Sequence, residues 1–123
     1  MSTATLRIVG AVLLFIIIIT TGFFLSNTGK PYNSALLTGH KLISIAAAVF
    51  FGITVFQISK AAGLSAMELT GTIVTGILFL STIISGGLSS INTMPIIFLR
   101  IHQISLSLLT ISTALTLYTL LHG

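Results

Sequence analysis

Four stretches of this sequence, at about 6–25, 35–58, 66–88 and 94–121, run for roughly 20 residues or more with almost no charge. A helix rising 1.5 Å per residue needs about 20 apolar residues to cross the roughly 30 Å of bilayer hydrocarbon. The chain is 54% hydrophobic and 5% charged, too little charge to clothe a soluble domain. Its mean hydropathy is +1.18. The runs lack the alternation of a membrane barrel. Backbone groups in lipid must then be satisfied within helices. The predicted class is all-α: an integral multi-pass membrane protein whose residues 1–123 form one four-transmembrane-helix domain.

The connections carry turn chemistry. Ser26-Asn27-Thr28-Gly29-Lys30-Pro31-Tyr32-Asn33 separates the first two runs, with Ser34 as the expected N-cap of the second. Ala46-Ala47-Ala48 and Gly52 then allow a neighbour to approach closely. After Ser59 to Leu64, Ser65-Ala66-Met67-Glu68 matches a capping box. Ser89 to Thr93 leads to Pro95, expected in the first turn of the fourth helix, where proline is tolerated. Such short connections make neighbouring helices antiparallel, giving an up-down-up-down four-helix bundle. The first run is longer than the apolar core of a signal peptide and is read as a retained anchor. The sequence shows no repeat that would mark a duplication.

The net charge of +4 comes from five basic residues and one acid. These cations flank membrane spans, so they are read as headgroup anchors and not as a nucleic-acid footprint. The absence of cysteine excludes disulfides, thiolate metal sites and haem attached through C-x-x-C-H. Glu68, the only acid, is either a proton-carrying carboxylate or a helix cap, and its spacing favours the cap. The many serines and threonines of the last three spans could line a polar path. The commoner arrangement is bonding to their own helix carbonyls or to a neighbouring helix.

An ionisable side chain inside a membrane span is costly, and function is the first hypothesis for it. Two of the three histidines, His40 and His102, lie inside apolar runs. His40 is about six residues from Ser34, or roughly 9 Å into its helix; His102 is about nine residues from Thr93, or roughly 13 Å. Both helices start on the side opposite the N-terminus, so the two depths agree. In a square bundle the second and fourth helices are diagonal. Two inward imidazoles could then hold an iron from opposite faces of a porphyrin.

A flat macrocycle needs small residues beside it. Gly22 on the first helix and Gly86-Gly87 on the third lie near the same membrane face, although Gly86-Gly87 could equally end a helix and Gly22 serve packing. Ser44 and Ala47 follow His40 at i+4 and i+7, and Ser105 follows His102 at i+3, so the ligand helices have small inward stripes. Lys41, about 100° round the helix from His40, can snorkel towards a propionate. Arg100 lies about 200° from His102 and suits lipid phosphate or a partner subunit better. His122 falls at the opposite face and is read as inert.

With His40 in Gly39-His40-Lys41 and His102 in Arg100-Ile101-His102-Gln103, the chain resembles four-helix membrane b-type cytochromes with bis-histidine haem. The resemblance spans the whole chain in architecture. It implies one non-covalent haem b with His40 and His102 as iron ligands, and Lys41, Gly22, Gly86, Ser44 and Ser105 around it. It further implies an electron-transfer subunit, not a stand-alone enzyme, exchanging electrons with quinol or with other membrane or peripheral redox subunits. Two-haem members carry four ligand histidines, and the second pair is missing here. The cation distribution favours a cytoplasmic N-terminus, which puts the histidine face outside. Two other functions remain in view: a cofactor-free structural subunit with hydrogen-bonded histidines, and a small cation- or proton-coupled transporter, which would need Glu68 as its carboxylate.

Overall fold

The computed structural model describes residues 2–122, apart from the side chains of Ala4, Leu121 and His122. The expectation for His122 therefore falls outside the described side chains. Four helices follow one another: α1 (Thr3–Thr28), α2 (Ser34–Ala62), α3 (Ala66–Ser89) and α4 (Ile97–His122). Each is long and apolar enough to cross a membrane.

Local chemistry sets the ends. Ser2 caps α1 by accepting the Thr5 amide. At the other end Gly29, at φ 67°, takes the left-handed turn that side chains resist, and its N–H returns to the Leu25 carbonyl. Asn33, not Ser34, caps α2: its Oδ1 accepts the Leu36 amide at 3.0 Å, which draws Ser34 into the helix. Gly63, at φ 71°, closes α2 in the same left-handed manner as Gly29 closes α1.

The capping box of α3 is complete. Ser65 Oγ accepts the Glu68 amide at 3.2 Å, and Glu68 Oε2 accepts the Ser65 amide at 2.9 Å. Glu68 is buried in that role. Gly86 and Gly87 do not end α3, which continues to Ser89, where the Ser90 amide returns to the Gly86 carbonyl. Pro95 stands before α4 and not in its first turn. Its carbonyl accepts only the Phe98 amide of a turn, and the helical bonding starts with Arg100 N–H to the Ile96 carbonyl.

The chain packs as two tight antiparallel hairpins, α1 with α2 and α3 with α4. Looser seams join α2 to α3 and α1 to α4. This is the expected square, with α2 and α4 on one diagonal. Lipid tails are as apolar as leucine, so close fit and hydrogen bonds hold such helices together. In the α3–α4 hairpin, fully buried Thr75 bonds to Ser112 at 2.6 Å and Thr116 at 3.2 Å. Gly71 makes room for Thr116, whose Oγ1 would lie 2.7 Å from a Cβ there. Across the bundle, Phe79 meets Phe15 edge-on at 5.9 Å and Phe51 at 5.7 Å. Most other hydroxyls bond back to their own helix, as Thr20 does to Ile16 and Thr110 to Leu106. Outward residues such as Leu13, Ile16, Phe24, Ile77 and Leu115 present an apolar surface to the bilayer.

Candidate functional site

The two intramembrane histidines meet inside the bundle. Their ring centroids are 6.5 Å apart and their planes cross at 74°. Both line a cavity of about 230 Å³ to which all four helices contribute. Phe15, Phe79 and Leu109 line it deeper along the helices, while Tyr32, Lys41 and Ser90 line it nearer the helix termini.

Each ring is fixed within its own hairpin. His40, on α2, lies against Gly22 of α1, where an added Cβ would be 3.2 Å from its Cε1. Its Nδ1 is 2.7 Å from Thr21 Oγ1. His102, on α4, lies against Gly86 of α3, where a Cβ would be 2.8 Å from both Cε1 and Nδ1. Its Nδ1 is 2.8 Å from the Thr82 carbonyl oxygen. A carbonyl oxygen only accepts, so His102 carries its proton on Nδ1. Among the described residues no hydrogen bond runs from ring to ring, and neither Nε2 has a partner. The free nitrogen is the one a metal takes when Nδ1 is held by an oxygen.

The remaining expected site residues fall around this pair. Gly22 and Gly86 do more than leave space: each is the seat of an imidazole. Ser44 lines the cavity, but its hydroxyl donates to the His40 carbonyl at 2.7 Å. Ser105 is buried and does not line the cavity. Lys41 lines it, and its Nζ donates to Ser90 Oγ at 3.0 Å. Lys30, on the same side, donates to the Ile91 carbonyl at 2.9 Å. Arg100 is exposed and reaches Gln103 Oε1 at 3.3 Å, away from the cavity. Thr21, the Thr82 carbonyl and the Phe15–Phe79 floor were not apparent in the sequence. Thr21 beside Gly22, at the depth of His40, was the one available hint.

Among the described residues no group of three or more His, Cys, Asp or Glu side chains comes together. A metal needing four protein ligands therefore finds no such cluster here. Two opposed imidazoles can complete a metal that brings its own equatorial ligands. Comparison with protein families, with curated proteins and with solved structures finds no match for this chain. The site is read on its geometry alone.

Proposed function

We propose that this chain is a small b-type membrane cytochrome holding one non-covalent haem b between His40 and His102. The observation that supports it is the pair of imidazoles, opposed at 6.5 Å from diagonal helices, with Nδ1 anchored and Nε2 free. A metal bound at about 2.0 Å by each of two facing Nε2 atoms sets the ring centroids about 6 Å apart. The donor set and its spacing therefore fit the group. A cavity of about 230 Å³ is below the roughly 300–1,000 Å³ usual for organic ligands. A haem would therefore need more room than this cavity gives, and the looser α2–α3 and α1–α4 seams are where the bundle could supply it.

When bound, haem supplies one-electron chemistry at its iron. The protein's contribution is to aim two neutral nitrogens and to keep the site dry. Phe15, Phe79 and Leu109 give the deeper part of the cavity an apolar lining. Lys41, reaching Ser90 at the termini, can turn to an anionic carboxylate at the same place. A haem held here would exchange electrons through the histidine face, with quinol or with a partner redox subunit, since Tyr32, Lys41 and Ser90 line the cavity towards that face. With the N-terminus in the cytoplasm, that face is external.

The test is optical. Purified protein should show a Soret band and, after dithionite, a sharp α band, and His40→Ala or His102→Ala should abolish both. Protein that is colourless as isolated and takes up no added haemin would instead be a cofactor-free structural subunit.

A further inference from the structure

We infer that Thr21 is a positioning residue that fixes His40 as the Nδ1-protonated imidazole and so leaves Nε2 as its basic nitrogen, on a ring that lines the same cavity as His102. The inference deepens the haem reading for its use, but the arrangement of atoms stands without haem.

The argument is one of proton count. A threonine hydroxyl has one proton and can accept through its lone pairs. Thr21 Oγ1 lies 2.9 Å from the Ile17 carbonyl and 3.1 Å from the Ile18 carbonyl, in the back-bonding position of a membrane helix. Those oxygens only accept, so the hydroxyl proton is assigned to α1. With its proton on α1, the same oxygen accepts from His40 Nδ1 at 2.7 Å. The proton of a neutral His40 then resides on Nδ1, and Nε2 carries the lone pair. Gly22 completes the arrangement by letting the ring lie within 3.2 Å of a Cβ position that any other residue would fill. The neighbouring Thr20 also bonds back to α1, through Ile16, but holds no imidazole, so back-bonding alone does not make the site.

The two halves of the pair are unequal. His102 donates to a carbonyl, which Ser85 Oγ shares at 3.2 Å, whereas His40 donates to a hydroxyl already polarised by its own bond to the backbone. Nδ1 partners raise the basicity of the ligating nitrogen according to their strength as acceptors. Thr21 is thus the side chain that acts directly on His40 and not on His102.

The experiment uses the full chain in nanodiscs, labelled with ¹⁵N-histidine, without haem, at a pH where both imidazoles are neutral. Signals are assigned from the single-histidine variants. Wild-type His40 should show a protonated Nδ1 and a bare Nε2. In Thr21→Val that preference should fall by about fivefold or more, the loss expected for one hydrogen bond, while His102 stays unchanged. Thr21→Ser should restore it. In haem-loaded protein the midpoint potential should move in Thr21→Val and return in Thr21→Ser. A wild-type His40 protonated on Nε2, or ¹⁵N signals of His40 unmoved in Thr21→Val, would overturn the inference whether or not haem binds. If Thr21→Val fails to fold, the wild-type and Thr21→Ser spectra still decide. A wild-type protein that shows the tautomer but takes up no haem refutes the haem reading and leaves this one standing.

Discussion

Replacing Gly86 with alanine is the sharpest perturbation the structure offers. The new methyl carbon would lie 2.8 Å from both Cε1 and Nδ1 of His102. Ordinary carbon contacts sit at about 3.5–4.0 Å, so the ring must retreat by roughly 0.7 Å or more. It is not free to do so, because its Nδ1 bonds to the Thr82 carbonyl of α3, one turn before Gly86. Breaking that bond costs about 1 kcal/mol, and overpacking typically costs about 1–3 kcal/mol. Alanine regains at most about 1 kcal/mol of helix propensity over glycine. The net expectation is about 1–3 kcal/mol, or roughly a ten- to hundredfold loss of haem affinity at 1.4 kcal/mol per decade. Gly22→Ala, with its nearest ring atom at 3.2 Å, should cost a few-fold. Gly76→Ala, with nothing within 4 Å, should cost nothing measurable. Haemin titration and thermal unfolding in detergent, run on all three, provide the check. A Gly86→Ala protein that binds and melts like Gly76→Ala would show that His102 does not rest on Gly86.

Ser65→Ala should lower stability by about 1 kcal/mol through loss of the α3 cap, whereas Glu68→Gln, which keeps an acceptor for the Ser65 amide, should change melting little; equilibrium unfolding in detergent separates the two. Lys41→Ala should weaken haem retention by no more than about fivefold, since an exposed ion pair is worth about 0–1 kcal/mol, and Lys41→Arg should restore it; competition with apomyoglobin measures the ratio.

The architecture was readable because membrane physics leaves few options. Four apolar runs with one charged residue each, joined by short polar links, admit a helical bundle and little else, and the Ser65–Glu68 spacing announced its cap directly. The histidine pair was readable through depth alone: residues at matching distances from one face, on helices that share a direction, end up opposite each other. Ends were harder. Asn33 outcompetes Ser34 because the longer amide reaches the Leu36 amide from outside the helix, and Pro95 falls before α4 because the turn through Phe98 precedes the first helical bond. The partners of the rings were hidden for a different reason. The Thr82 oxygen is a backbone group with no signature in the sequence, and Thr21 becomes special only through the register between α1 and α2. The likeness of the two hairpins, a glycine on the first helix seating a histidine on the second, likewise exists in space without any repeat in the sequence.

That likeness has a bearing on assembly. Each imidazole gets its seat and its anchoring oxygen from the helix it folds back against, so neither depends on the other hairpin for its orientation. Closing the site is then the docking of two finished jaws across the three-residue link at 63–65, and a group bound by both rings would be the rivet that keeps them shut.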